Sequence, residues 1–340
     1  ELKMKKLHKL VWGVIGAGNV CEVKSVPGMY KTDKSEVKMV MRRDALKAAD
    51  FALRHHIPIS TDNADMIFAD PDINIVYVAT PPDSHCEYAL RAAAAGKAVY
   101  VEKPMALDAD ACEKMIVACR EAEVPLFVAY YRRALPGFLR LKELIETGAI
   151  GEVRFVTVEM HRSPRTYDID TTNNWRVVPE ISGGGHFHDL ASHQFDYLDF
   201  LFGKITETGA ISKNQAGLYP AEDIVTSVFT FESGVVGNGL WCFTTDASAE
   251  KEQITIVGNK GRISFNTFGS PMKIEIVNAQ GARMEEIEHP EHIQQPLIKT
   301  IVDELCGKKG HCYSRGESGK RTTEVLNAIT ANYKKTNTIF

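Results

Sequence analysis

The chain has 340 residues, 44% of them hydrophobic and 25% charged, which is ordinary globular usage, roughly two domains at about 150 residues each, and excludes disordered and fibrous classes. Its 40 lysines and arginines stand against 44 aspartates and glutamates, for a formal net charge of −4, so no basic field exists to hold a nucleic-acid backbone or an anionic membrane. No apolar run approaches the ~20 residues of a membrane span and the N-terminal stretch lacks a signal-peptide core, so the expected setting is cytoplasmic.

In chain order, Glu1 to Lys3 reads as a foreign leader ahead of a natural start at Met4 and is left out of fold reasoning. From there to Tyr130, short β-branched runs alternate with helical patterns, the signature of a parallel sheet covered by helices. The predicted strands are Leu10 to Ile15, Val37 to Met41, the short Ile59-Ser60, Ile73 to Ala79, Ala98 to Val101 and Leu126 to Ala129, nearly all apolar, as strands buried on both faces are. Helices are predicted after Gly18, over Asp44 to His55 with Asp44 as N-cap, over Asp83 to Ala95 ending at Gly96, and over Asp108 to Ala122. After Tyr130 the texture changes. One helix, Gly137 to Thr147, leads into strands at Val153 to Met160, Ile205 to Ser212, Ile224 to Phe231, Val235 to Phe243, Gln253 to Val257, Arg262 to Phe265 and Lys273 to Ile276. Helices Glu291 to Leu305 and Ser318 to Lys334 follow. The expected fold class is therefore α/β: a doubly wound parallel Rossmann domain over 1–130 and an α+β domain over 131–340. No linker separates them, which predicts two halves packed around a shared cleft. The seven cysteines are scattered, with no Cys-x-x-Cys pair, and read as reduced thiols.

Three segments carry chemistry. Gly13-Val14-Ile15-Gly16-Ala17-Gly18-Asn19-Val20-Cys21 sits where the first strand hands over to the first helix. In a Rossmann turn the first glycine makes the bend, the second lets backbone approach a pyrophosphate, and the helix start supplies N–H groups. Gly16 and Gly18 fit those roles, Asn19 and Val20 supply the N–H groups, and Cys21 replaces the third glycine. An ordinary Gly-rich turn is the alternative. At the end of the second strand, NAD binding usually places a carboxylate for the ribose 2′-hydroxyl, whereas a 2′-phosphate wants arginine. Here Arg42 and Arg43 occupy the place and Asp44 is a helix cap, which favours NADP over NAD.

The second segment lies at two further strand ends, Thr80-Pro81-Pro82 and Glu102-Lys103-Pro104, where ligands of open α/β sheets bind. Thr80, Pro81, His85, Glu102 and Lys103 are assigned to the cofactor. At that depth Lys103 would be partly desolvated and near a bound nicotinamide, which readies an ammonium as proton donor. A surface lysine in a turn has the same sequence. The third segment runs Gly183-Gly184-Gly185-His186-Phe187-His188-Asp189-Leu190-Ala191-Ser192-His193-Gln194-Phe195-Asp196. At ~100° per residue, Phe187, Leu190, Phe195, Leu198, Leu201 and Phe202 form an apolar stripe, with Asp189, His193 and Asp196 opposite. Asp189 and His193 are then within reach, and a carboxylate beside an imidazole suits general-base work near neutral pH. Two other readings stay open: a solvated polar face, and a metal site of His186, Asp189 and His193; no metal is expected.

Together, Gly-x-Gly, Glu102-Lys103-Pro104 about 85 residues later, Tyr131-Arg132 with Pro136, Trp175-Arg176, the Gly-Gly-Gly-x-x-x-Asp-x-x-x-His-x-x-Asp string and the Gly258-Asn259-Lys260-Gly261 turn resemble the glucose-fructose oxidoreductase/inositol dehydrogenase/rhizopine catabolism (Gfo/Idh/MocA) family. The resemblance covers nearly the whole chain. It implies a Rossmann domain, a C-terminal domain on a large, open, mostly antiparallel sheet, and nicotinamide-dependent oxidation or reduction of sugars, cyclitols and related alcohols. By resemblance the catalytic residues are Lys103, Asp189 and His193, and the Lys103-Pro104 bond is cis. The paired arginines are similar to the Ser-Arg pair of NADP-using members, without the Ser. Cys21 and the His186-Phe187-His188 run depart from the family pattern. The expected reaction has a secondary hydroxyl over the nicotinamide, bonded to His193 and Lys103, with Asp189 holding the imidazole. Tyr131, Arg132, Trp175, Arg176 and His188 are assigned to a sugar-like substrate; Arg132, Arg133, Trp175 and Arg176 favour a polyhydroxylated or acidic ligand, or else belong to ordinary surface and core. The resemblance also implies a homodimer or homotetramer through an exposed sheet face. Some relatives are NAD-dependent glycosidases and others cofactor-sensing regulators, and these remain alternatives, as does a metal-dependent hydrolase.

Overall fold

A computed structural model of the protein describes residues 6–169, 174–308 and 310–337. The Met4 start lies outside the described residues. The chain divides into two compact units, Glu1–Leu135 with Pro290–Lys320, and Pro136–His289 with Arg321–Phe340.

The first unit opens with β1 (Leu10–Ile15), α1 (Asn19–Val23), α2 (Val26–Tyr30) and β2 (Ser35–Met41). It continues with α3 (Ala45–Arg54), β3 (Ile59–Thr61), α4 (Asp65–Ala69), β4 (Ile75–Val78), α5 (His85–Ala94), β5 (Ala98–Val101), α6 (Ala109–Glu121) and β6 (Leu126–Val128). The strands form one sheet in the order β3-β2-β1-β4-β5-β6. All pairs are parallel, the doubly wound order that places a switch point between β1 and β4. Local chemistry sets the helix ends. Asp44 caps α3 by accepting the Lys47 N–H at 3.1 Å, and Asp108 caps α6 by accepting the Ala111 N–H at 2.8 Å. Gly96, at φ +70°, supplies the left-handed residue just past α5. Every residue of β4 and β5 is buried, as predicted for strands covered on both faces; Ala89 and Ala92 of α5 and Cys112 and Met115 of α6 pack in the same core.

The second unit begins with α7 (Pro136–Glu146), β7 (Val153–His161), α8 (Thr166–Ile169) and α9 (Pro179–Ser182). A π-helical turn, Phe187–Ala191, then feeds α10 (Ser192–Phe202). β8 (Ile205–Lys213), β9 (Ile224–Phe231), β10 (Val236–Cys242), β11 (Lys251–Gly258), β12 (Gly261–Phe265), β13 (Met272–Asn278) and β14 (Gly281–Ile287) follow. With β7 they make an eight-stranded sheet in the order β14-β13-β12-β11-β7-β10-β9-β8. Only the β7–β10 pair is parallel; the others are antiparallel. The edge strand β14 escaped sequence reading because its residues, GARMEEI, are mostly exposed and show no apolar alternation. Phe195 of α10 packs on Trp241 and Phe229 at centroid distances of 5.4 and 5.3 Å, and Phe187 on Trp241 at 5.1 Å. Each such ring contributes about 1.5–3 kcal/mol by burial, so this cluster holds α10 against the sheet.

The chain ends with α11 (Gln295–Leu305) and α12 (Gly316–Asn337). Sequence texture placed everything after 131 in the second domain, whereas residues 290–320 pack in the first unit. The reason is visible in their bonds. The Ser314 carbonyl accepts the Val128 N–H at 3.1 Å and the Ser314 hydroxyl donates to the Val128 carbonyl at 2.7 Å, which extends the β6 edge. Among the described residues no helix is long and apolar enough to cross a membrane.

Candidate active site

In the first unit the residues assigned to the cofactor gather at the C-terminal ends of the parallel strands. Gly16 follows β1 with φ +85°, and a Cβ there would lie 2.7 Å from Thr80 Cγ2 and 2.8 Å from the Thr80 N. Only glycine fits, because the turn adopts a left-handed conformation against the end of β4. The Gly16 and Ala17 N–H groups donate to the Met41 carbonyl at 2.9 and 3.2 Å, which ties the turn to β2. At Gly18 a Cβ would meet nothing nearer than the Gly16 oxygen at 3.7 Å, so the space beside it is open to a close-approaching ligand. Gly18 is the N-cap of α1 and offers no capping side chain, leaving the Asn19 and Val20 region facing that space. Cys21 is fully buried, and burial pushes its thiol up to about 12; it packs where the third glycine would, as an inert filler. Past β2, Arg42 is half-buried and Arg43 exposed.

Glu102 and His85 sit deeper than a ligand contact requires. Glu102 Oε1 accepts the Tyr77 hydroxyl at 2.6 Å and the Gln294 amide at 2.7 Å, while Tyr100 donates to Gln294 Oε1 at 2.8 Å. Burial, then the Glu102 charge, pushes both phenols well above their ordinary range, so they remain donors. This network fixes the end of β5 and aims Lys103, whose N–H donates to Glu102 Oε2 at 3.1 Å. The Lys103-Pro104 bond is cis, as the resemblance implied. His85 is fully buried. Its Nε2 lies 2.7 Å from the Thr80 carbonyl, and its Nδ1 lies 3.1 and 3.2 Å from the Pro104 and Met105 carbonyls. Both ring nitrogens therefore face backbone carbonyls, and the buried ring packs between the Thr80 turn and the Lys103-Pro104 turn. Burial lowers its pKa against weaker pulls from those carbonyls and the Glu102 charge, and a neutral ring donates through one nitrogen only. His85→Ala is expected to lower the stability of this unit by about 1–3 kcal/mol, since a backbone carbonyl loses a buried donor, and to weaken dinucleotide binding; unchanged melting and unchanged binding would refute this packing role.

In the second unit the Gly-rich string does not run as one regular helix. Residues 187–191 wind as a π-turn, which takes an extra residue per turn and shifts α10 in phase from the 100° reading. The solvated-face reading fails: His193 is 3% exposed and Asp196 fully buried. The ring of His193 meets Phe268 edge-to-face at 5.9 Å. Next to it, Gln194 accepts the Trp241 indole N–H at 2.7 Å and donates to Glu252 at 3.2 Å. Glu252 accepts the backbone N–H groups of Thr267 and Phe268 at 2.8 and 3.2 Å. Helix α10 and the Phe268 loop are therefore bound together around the imidazole. Asp189 is half-buried, with the Arg176 guanidinium at 3.5 Å, and Arg176 lies over the Trp175 ring at 4.5 Å.

The other two histidines have separate partners. His186 Nε2 pairs with Asp168 at 2.9 Å, and Asp168 also accepts the Asn174 amide at 2.9 Å. His186 is thus engaged with Asp168, and no group of three or more metal-donating side chains occurs among the described residues. His188 Nδ1 pairs with Glu222 at 3.0 Å, both residues being buried, and Glu222 also accepts the Gly185 N–H at 2.9 Å. His188, assigned to substrate, is thus bound by its Nδ1 to a buried carboxylate. Burial raises the Glu222 and Asp168 carboxyls, but the histidines beside them and the donated N–H groups outweigh it, and both end below the usual range. Tyr131 and Arg132, also assigned to substrate, lie in the first unit, 6% and 3% exposed, with the guanidinium 5.0 Å from the Tyr131 ring centroid. Asp168, Glu222, Glu252 and Gln294 were missed from sequence; the histidine, glutamine or carboxylate each one meets is distant along the chain, and none carries a spacing signal.

A family described as an oxidoreductase family with an NAD-binding Rossmann fold matches residues 10–130. A second, described as the GFO/IDH/MocA C-terminal domain, matches residues 138–264. The chain is 40% identical to Oxidoreductase P35 of Formosa agariphila over 299 residues, which covers 86% of this chain and 90% of that protein. It is 28% identical to the inositol 2-dehydrogenase of Rhizobium meliloti over 280 residues, 79% of each chain. Among solved structures, levoglucosan dehydrogenase in complex with NADH and levoglucosan superposes with a TM-score of 0.84 at 22% identity, covering 96% of this chain and 98% of that one.

Proposed function

The chain belongs to the GFO/IDH/MocA family of oxidoreductases, and from that premise we propose that it transfers a hydride between a nicotinamide dinucleotide and a secondary hydroxyl or ketone of a sugar, cyclitol or related polyol. The observation that carries this reading is the convergence of Gly16, Gly18, Arg42, Arg43, Thr80 and Lys103 on the C-terminal ends of β1, β2, β4 and β5, at the switch point of a doubly wound sheet. The residues fit the cofactor: glycine where φ is positive, open space at Gly18, and arginines past β2. Gly16, Gly18, Asn19 and Val20 would hold the pyrophosphate, with Thr80, Pro81 and Lys103 toward the nicotinamide end. When bound, the dinucleotide supplies or accepts the hydride.

The chain's own residues handle the proton. His193, buried and fixed by the Glu252 links, takes the hydroxyl proton in oxidation and returns it in reduction. Asp189 orients the imidazole or a neighbouring substrate hydroxyl, and the Lys103 ammonium serves as a hydrogen-bond donor at the nicotinamide end of the first unit. The exposed Ile211, Val228, Val236 and Leu240 on one face of the second unit's sheet support a homodimer or homotetramer.

NADP is favoured over NAD. Past β2 no carboxylate is placed for a ribose 2′-hydroxyl, since Asp44 is engaged as the α3 cap, while Arg42 and Arg43 make no ion pair among the described residues and suit a phosphate dianion. Arg43→Ala should weaken NADPH binding about tenfold, the lower end for an exposed charge-assisted bond, with NADH little affected, as read by fluorescence titration of both cofactors. Equal losses for the two would sink the 2′-phosphate assignment. The whole reading is tested by following nicotinamide absorbance over a polyol and keto-sugar panel with the tighter cofactor; no absorbance change with any of them, or aryl-glycoside cleavage without one, would overturn it.

A further inference from the structure

Arg162 was not singled out by any motif. It follows β7, and its backbone is fixed on both sides: its N–H donates to the Cys242 carbonyl at 2.8 Å and its carbonyl accepts the Thr245 N–H at 3.1 Å. The side chain extends over the face of Phe268, with the guanidinium carbon 5.3 Å from the ring centroid. Phe268 is the same ring that His193 meets edge-on at 5.9 Å, and Glu252 binds its loop to α10. Arg162 therefore belongs to the surroundings of His193 and Asp189, within one unit of the fold.

Its surroundings do not balance it. Arg162 is half-buried, yet among the described residues it has neither an ion pair nor a side-chain hydrogen bond. The other basic groups nearby are Arg165, engaged with the Tyr167 hydroxyl and ring, and Arg176, spread between Trp175 and Asp189. Burial first, and the Arg165 charge second, disfavour the charged guanidinium, against weaker pulls from Glu252, Glu250 and Asp189. A guanidinium does not escape by losing its proton. What remains is a fork of N–H donors on a fixed stretch of backbone, laid over Phe268 and partly stripped of water, beside the residues proposed to act on the polyol.

We propose that Arg162 binds a carboxylate of the substrate, so that the protein acts on sugar acids in preference to the neutral sugars. The guanidinium fork matches the planar carboxylate with two parallel bonds, Phe268 holds the fork's plane, and Arg165 adds long-range attraction. This rests on the assignment of His193 and Asp189 to the substrate site made above.

The test compares matched pairs, D-glucuronate with D-glucose and D-galacturonate with D-galactose, together with the corresponding 6-phosphates, using wild-type protein, Arg162→Gln and Arg162→Lys in the presence of saturating cofactor. Wild-type kcat/KM is expected to favour the acids, and Arg162→Gln to reduce the acid-to-neutral ratio about ten- to a hundredfold, the range for a hydrogen bond to a charged group, mainly through KM. Arg162→Lys, which keeps charge without the fork, should fall between. If Arg162→Gln lowers acid and neutral substrates equally, the residue only supports Phe268 and the proposal is wrong. A preference for the phosphates overturns it as well. Turnover of neutral sugars alone removes the carboxylate while leaving the hydride-transfer reading standing; no turnover of any sugar with either cofactor removes both.

Discussion

Replacing His193 with alanine is expected to lower turnover by about 10² to 10⁴, the usual contribution of a positioned acid or base, which corresponds to about 2.7–5.5 kcal/mol of barrier. The expectation rests on where the imidazole sits. It is 3% exposed, on the first turn of α10, and the elements around it are joined by Glu252, which receives N–H groups from Gln194, Thr267 and Phe268. A base held in this way does not have to be ordered during reaction, which is the source of the rate gain. Truncation also removes packing against Phe268, so His193→Asn, which is closer in size and polar but no proton acceptor of comparable strength, separates the two effects. It should lose turnover as the alanine variant does while keeping more of the melting temperature. Dinucleotide affinity, whose proposed determinants are all in the first unit, should stay within a few-fold in both. Turnover that survives His193→Asn would dismiss the residue from the chemistry, and loss of cofactor binding in step with turnover would point to a damaged fold.

Legibility in the sequence followed the range of the forces involved. β1 and β5 begin and end where apolar runs predicted, and Asp44, Asp108 and Gly96 could be read as helix punctuation because capping is decided within four residues. The nucleotide turn was legible for the same reason: Gly16 answers to a local dihedral requirement. What failed was anything needing a partner far along the chain. The Glu102–Gln294–Tyr100 network joins residues separated by more than 190 positions, so neither the structural role of Glu102 nor the return of residues 290–320 to the first unit had a local signal. The surroundings of His85 had no local signal either, because a histidine near a ligand-binding turn looks the same in sequence whether or not its ring faces backbone carbonyls. The Gly-rich string was half legible. Its apolar residues do anchor on the sheet, but the π-turn shifted the helical phase, and His193 and Asp196, which a solvated face would expose, are buried. His186 and His188, buried in the same segment, need partners as well, and those partners, Asp168 and Glu222, come from segments with no periodic mark.

Among those partners Glu222 is the one whose loss should be felt most in stability. Glu222→Ala would leave the His188 Nδ1 and the Gly185 N–H, now 3.0 and 2.9 Å from Glu222 Oε1, without their acceptor, and breaking a buried pair of this kind costs about 3–5 kcal/mol. The damage would fall on the turn that starts the π-segment, since a Cβ on Gly184 would strike His188 at 1.9 Å and one on Gly185 would meet the Glu222 carbonyl at 2.8 Å, which leaves that backbone little room to adjust. Glu222→Gln keeps an oxygen for both donors and should cost about 1 kcal/mol, the difference between charged and neutral hydrogen bonds. The pair of variants also gives a pH test. The Glu222 carboxyl, raised by burial but lowered further by His188 and the Gly185 N–H, ends below its ordinary 4.5. Its ionised form therefore stabilises the fold fully above that ordinary value, and the contribution is lost as pH falls through the lower folded value. Wild-type stability, followed by denaturant titration, should drop below about pH 4.5 toward that of Glu222→Gln, which lacks this titration, and the gap between the two should close in acid. A gap that stays constant from pH 7 to pH 3 would show that the carboxylate charge contributes nothing here and that the site depends on shape alone.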